Sequence, residues 1–143
     1  MSLVNVLLVD DEVPFVETMT KRLNRRDIDI LAAHSGSEAL DLLEQNSRIE
    51  VVILDVKMPG MDGMETLQEI RKRYPLVEVI MLTGHATVES GIDGMKMGAF
   101  DYLMKPCDMD ILVSKVGEAA AKKRQHEEKI IEARVKEITS RRP

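Results

Sequence analysis

A single cysteine, Cys107, leaves no internal disulfide framework to staple this chain and suits a reducing cytoplasm. Tryptophan is absent and aromatic residues make up only 3% of 143, so Leu, Ile, Val, Ala and ten Met must fill any core. No stretch approaches the roughly 18 apolar residues needed to cross a bilayer. The apolar run from Leu3 to Val9 is short and is followed at once by acids, so it does not read as a signal peptide. Repeats, low-complexity tracts and a second domain are also missing. What remains is a chain with 44% hydrophobic and 31% charged residues, a globular composition. Its length fits one domain able to bury about two-thirds of its unfolded surface. The net charge of −5 is uneven: residues 117–143 carry eight Lys/Arg against five Asp/Glu, a balance of +3 that leaves −8 for the preceding 116. An acidic body argues against nucleic-acid binding and for a domain that accepts a cation.

The stretch that organises the chain is Val51-Val52-Ile53-Leu54-Asp55. An unbroken apolar run of this length reads as a strand buried on both faces, as in parallel sheets. Similar runs lie at Asn5–Val9, Ile28–Ala33, Val77–Thr83 and Phe100–Lys105. Between them come helical patterns. Pro14 opens one, Ser35 with Glu38 caps a second, and Asp62 with Glu65 caps a third that Tyr74-Pro75 stops. Thr87–Met97 also reads as a helix, weakened by Gly91 and Gly94 at about 1 kcal/mol each relative to Ala. A last helix starts after Asp108. Five strand–helix alternations with short connections predict an α/β domain, a doubly wound parallel five-stranded sheet covered by helices on both faces. The domain is expected over residues 1–121, with 122–143 a charged helical extension or linker.

Parallel strands present their carboxyl ends on one edge, the edge where open α/β sheets bind ligands. That edge gathers Asp10 and Asp11, then Asp55, Thr83 and Lys105. Taken singly, each has an ordinary reading as a cap, turn former or strand terminus. Together they crowd three carboxylates, and a pair about 4 Å apart repels by on the order of 4 kcal/mol at an effective dielectric near 20. A divalent cation and the lysine ammonium relieve this, and an oxygen donor set suits Mg²⁺ or Mn²⁺. With the charge neutralised, Asp55 can attack a phosphoryl group.

The ordered segments Leu8-Val9-Asp10-Asp11-Glu12, Ile53–Gly63, Met81-Leu82-Thr83-Gly84-His85 and Phe100–Pro106 resemble the receiver domain of two-component response regulators, from about Asn5 to Ala120. The resemblance implies a CheY-like (βα)₅ fold with strand order 2-1-3-4-5. It implies that Asp55 takes a phosphoryl group from a sensor histidine kinase. Asp11, Asp55 and the backbone carbonyl of Lys57 are then the metal ligands, with Asp10 supporting the ion through water. Thr83 and Lys105 contact the phosphoryl group, and the Lys105–Pro106 peptide is cis. His85–Glu89 and Gly98–Leu103 look most like receivers of NtrC-type transcriptional activators.

Thr83 and Tyr102 are the expected switch pair, re-shaping the surface of helix four, strand five and helix five. Lys57 and His85 are candidates for tuning phosphate lifetime, with a solvated surface role as the alternative. His34, His126 and Cys107 are given no role. In the tail, Ile131, Val135 and Ile138 form a short apolar stripe after a wholly polar turn. A solvated helix, a dimerising coiled coil and a nucleic-acid contact remain open there, and a homodimer through that helix or through the helix 4/strand 5/helix 5 surface is an expected partner. Two other functions stay in view. A small aspartate-based phosphatase wants a second acid two positions after its nucleophile, where this chain has Lys57. A flavodoxin-like cofactor binder wants a Ser/Thr/Gly-rich loop after strand one, where this chain has acids.

Overall fold

The computed structural model describes residues 3–56, 62–84 and 87–140. Strands and helices alternate as β1 (Val4–Val9), α1 (Val13–Asn24), β2 (Ile28–Ala33), α2 (Gly36–Gln45), β3 (Val51–Leu54), α3 (Gly63–Arg73), β4 (Glu78–Thr83), α4 (Val88–Lys96), β5 (Asp101–Met104) and α5 (Met109–Ser140). All four strand pairings are parallel, in the order β2-β1-β3-β4-β5.

Period-two alternation divides each central strand between two cores. Leu7, Val9, Val52, Leu54, Val79 and Met81 face the layer of α2 and α3, where Leu40, Leu43, Leu67 and Ile70 meet them. Val6, Leu8, Ile53, Ile80 and Leu82 face α1 and α5, meeting Val16, Leu23, Leu112 and Val116. Burying each Leu or Ile contributes about 1.5–3 kcal/mol relative to exposure, so these two layers dominate the fold's stability. They also hold the strand ends in fixed register.

The caps act as the sequence suggests, with two differences. Ser35 Oγ accepts from Glu38 N and Asp62 Oδ1 from Glu65 N, starting α2 and α3. Glu38, however, returns its carboxylate to the amide of His34, not to that of Ser35. Helix α4 carries a full capping box that the sequence reading did not anticipate: Thr87 Oγ1 accepts from Ser90 N, and Ser90 Oγ from Thr87 N. The helix ends at Gly98, whose φ of +99° lies in the left-handed region that a side chain disfavours. Strand β5 is shorter than the apolar run containing it. Even so, Phe100 N and Lys105 N still donate to Val79 O and Thr83 O on either side of it. Helix α5 continues without a break past residue 121 to Ser140.

Candidate functional site

Register brings the site together. Val9 pairs with Leu54 and with Ala33, and Leu54 pairs with Met81, so Asp10, Asp55 and the end of β4 emerge side by side. Asp10 N bonds to Ala33 O and Asp55 N to Val9 O, which extends the ladders to these two residues and fixes their backbone. Carboxylate oxygens of Asp10, Asp11 and Asp55 all lie within 4.8 Å of one another. Asp10 and Asp55 are 1% and 3% exposed, whereas Asp11 reaches solvent. Thr83 is fully buried at the end of β4.

Lys105 Nζ donates to Asp10 Oδ2 at 2.6 Å and to Glu12 Oε1 at 3.2 Å, and stands 4.0 Å from the centroid of the Phe15 ring. Burial alone would lower its pKa. The hydrogen bond to Asp10, the charges of Asp10 and Asp55 and the Glu12 contact outweigh that and hold the ammonium above its usual range. Asp10 is displaced upward, although a lysine partner normally pulls a carboxyl down. Burial is the largest cause, and the Asp55 charge adds to it. Together they exceed the relief from Lys105 and from the Glu12 amide. One ammonium therefore does not neutralise this cluster.

Asp55 Oδ1 is buried and has no hydrogen-bond partner among the described residues. A buried, unpartnered carboxylate oxygen costs its desolvation with nothing in return. This oxygen beside two further carboxylates is a donor set suited to a hard divalent cation, so the residues fit Mg²⁺ or Mn²⁺. The alternative binders fare worse, because an acidic cradle repels a cofactor phosphate.

Two residues that the sequence reading passed over also shape the site. His34 Nδ1 lies 3.1 Å from the carbonyl of Asp10 and, since that oxygen only accepts, donates to it. The signal was available: His34 follows β2, and parallel topology puts that strand's end on the same edge. Gly63, read only as punctuation in a loop, donates its N–H to Val56 O at 2.7 Å. A Cβ there would stand 2.0 Å from the carbonyl oxygen of Asp55. Only glycine lets the start of α3 close against the backbone that presents Asp55.

Tyr102, one of the expected switch pair, packs against α4. The Tyr102 hydroxyl is 2.7 Å from Ser90 Oγ, itself part of the α4 cap. Its ring lies over Gly91 and Gly94, where an added Cβ would come within 3.7 and 3.3 Å of it. Gly94 thus makes room for the ring, whereas a Cβ at Gly91 would meet it at ordinary contact distance. The Lys105–Pro106 peptide is cis. Lys57, with its carbonyl, and His85 lie outside the described residues. Among those described, no helix is long and apolar enough to cross a membrane.

Comparison with known proteins agrees with this geometry. The family described as "Response regulator receiver domain" matches residues 6–117. A putative response regulator NtrX-like protein of Rickettsia bellii is 40% identical over 115 residues, 79% of this chain and 24% of that protein. The DNA-binding transcriptional regulator NtrC of Klebsiella pneumoniae is 35% identical over 112 residues, 78% of this chain and 24% of its own. The chain thus spans about a quarter of the length of these relatives. A response regulator receiver domain protein from Clostridium thermocellum superposes with a TM-score of 0.82 at 37% identity, covering 86% of this chain and 98% of its own. A response regulator from Burkholderia pseudomallei, described with a phosphorylated aspartic acid, a calcium ion and citrate, superposes at 0.75 with 26% identity, covering 87% of this chain and 72% of its own.

Proposed function

Since the chain belongs to the response regulator receiver domains and so serves two-component signalling, we propose that Asp55 is its phosphoacceptor and that a sensor histidine kinase supplies the phosphoryl group. The observation that carries this is the buried, unpartnered Asp55 oxygen beside Asp10 and Asp11. A carboxylate oxygen of Asp55 bonds to phosphorus as the P–N bond of the donor phosphohistidine breaks, and that bond's electron pair stays on the imidazole nitrogen. Asp11, Asp55 and the Lys57 carbonyl would hold Mg²⁺, with Asp10 supporting it through water, and the ion would supply positive charge against the phosphoryl oxygens. Lys105 releases part of its hold on Asp10 and Glu12 to take one phosphoryl oxygen, while Thr83 donates its hydroxyl to another. Lys57 and His85, two positions beyond Asp55 and Thr83, tune how long the phosphate survives.

Thr83 then draws toward the phosphate and Tyr102 turns inward, shifting α4 between two arrangements. Exposed Ile92, Met95, Met104 and Ile111 on α4, β5 and α5 give that surface an apolar character suited to a second copy or an output domain, and Ile131, Val135 and Ile138 offer another such stripe on α5. We read the chain as a cytoplasmic signalling module whose only chemistry is gain and loss of its own phosphate, not as an enzyme turning over a substrate. Incubation with acetyl phosphate and Mg²⁺, followed by intact mass and peptide mapping, tests the assignment. One phosphate on Asp55, lost in Asp55→Asn, is the expected result; a phosphate that maps to another residue overturns it. Thr83→Ala is expected to keep that phosphate while losing any phosphorylation-dependent dimerisation.

A further inference from the structure

At the opposite, amino-terminal edge of the sheet lie two more buried acids. Glu50, just before β3, is 7% exposed, and Glu78, which opens β4, is 1% exposed. The two are adjacent, because Glu78 N donates to Glu50 O. Neither has a cation from the sheet. Their cations come from α5, as Arg124 and Lys122. Arg124 holds Glu50 with both arms of its guanidinium, Nε to Oε2 at 2.6 Å and Nη2 to Oε1 at 2.9 Å, while Asn5 N donates to the same carboxylate. Lys122 Nζ stands 3.6 Å from Glu78 Oε1 and 5.7 Å from the centroid of the Phe100 ring. Lys123 is itself buried along its stem and donates to Glu127 at 2.8 Å.

We propose that this edge is an electrostatic clamp that fixes the course of α5 as it leaves the sheet, so that residues 122–127 belong mechanically to the domain and only those beyond Glu127 are free for a partner. The boundary expected at 121/122 from charge density therefore moves about one and a half helical turns outward. The physical reason is asymmetry of cost. Two acids at the base of a sheet, without cations, are uncompensated buried charges, which a fold tolerates poorly. Paired bidentately by Arg124, Glu50 gives direction as well as energy, because the guanidinium fork matches a carboxylate in only a few orientations, while Lys122 supplies charge near Glu78 without a hydrogen bond. Beyond the clamp the helix passes Leu76, where Glu127, Ile130, Ile131 and Arg134 line a shallow groove, and then stands exposed to its end. The clamping cations also lie past residue 117, where the family match stops.

Amide hydrogen exchange on the full chain tests this, comparing residues 118–128 with 130–140 in the parent, Arg124→Gln, Glu50→Gln and the double variant. Arg124 is half-exposed, and the double variant removes the buried charge that its replacement alone would leave on Glu50. Each single change is expected to speed exchange at 118–128 by about five- to tenfold, leaving 130–140 unaltered. The double variant is expected to exchange no faster than the singles, since the two side chains act as a unit. Unchanged exchange at 118–128 in Arg124→Gln overturns the clamp, as does a parent in which 118–128 exchanges as fast as 130–140. Phosphorylation of Asp55 by acetyl phosphate is expected to persist in Arg124→Gln, so failure of the clamp and failure of the phosphoacceptor assignment are read separately.

Discussion

The two edges of the sheet face the same electrostatic difficulty and meet it in opposite ways. At the amino edge Glu50 is held by Arg124, and Lys122 stands 3.6 Å from Glu78, whose carboxylate oxygens make no hydrogen bond among the described residues. At the carboxyl edge Asp10, Asp11 and Asp55 receive, among the described residues, a single ammonium, Lys105, which is shared with Glu12. The first arrangement ties its acids to cations of one helix. The second gathers three carboxylates around fewer cations among the described residues, which supports the metal and phosphoryl binding proposed for it. Buried acids alone do not mark a functional site. What distinguishes the carboxyl edge is that three carboxylates converge there, their oxygens within 4.8 Å of one another.

The contrast breaks most severely if the carboxyl edge loses its geometry. Gly63→Ala places a Cβ against the Asp55 backbone and is expected to cost about 3 kcal/mol in urea denaturation and to slow phosphorylation. Gly117→Ala, inside α5 with nothing within 4 Å of the new Cβ, is expected to act with the opposite sign, stabilising by about 0.5–1 kcal/mol. Equal losses in both would refute the close-packing argument. Next comes the ion itself. Mg²⁺ at about one hundred times its Kd is expected to stabilise the chain by about 2.7 kcal/mol, an effect Asp11→Asn should largely remove and Arg124→Gln should leave intact. Melting curves with and without Mg²⁺ decide this.

A smaller effect concerns acid. Burial raises the Glu50 pKa, but the Arg124 hydrogen bond leads a set of contacts that outweighs it, leaving the carboxyl below its ordinary value of 4.5. A depressed folded pKa contributes stability that is present above 4.5 and is lost as pH falls through the lower folded value. The parent should therefore lose more stability below pH 4.5 than Arg124→Gln does, and parallel acid titrations of the two would contradict this. The smallest change is Ser90→Ala, which removes the hydroxyl shared by Thr87 and Tyr102. It is expected to cost about 1 kcal/mol and to raise amide exchange at the start of α4.

The carboxyl edge was largely legible in the sequence because its residues end apolar runs, and parallel topology makes such ends neighbours. Asp10, Asp55, Thr83 and Lys105 were found that way. His34 obeys the same rule but was passed over, as its run is less apolar than the others and the residue has no partner of its own kind. Gly63 was seen as a loop former; its closeness to the Asp55 carbonyl depends on how α3 docks, which no local pattern encodes. Ser90 and Tyr102 are twelve residues apart and meet only through the α4–β5 packing. The amino edge was the least legible. Glu50 and Glu78 begin strands, where acids usually face water, and their cations lie more than forty residues away in a segment whose composition reads as solvated.

The length of α5 has a mechanical consequence. Thirty-two helical residues measure about 48 Å, and the part past Glu127 accounts for about 20 Å of that. A rod anchored at one end magnifies rotation: a tilt of about 10° where it is gripped sweeps Ser140 through about 3–4 Å, using the helical rise of about 1.5 Å per residue. Motions too slight to register at the hinge would be felt by anything attached to the tip.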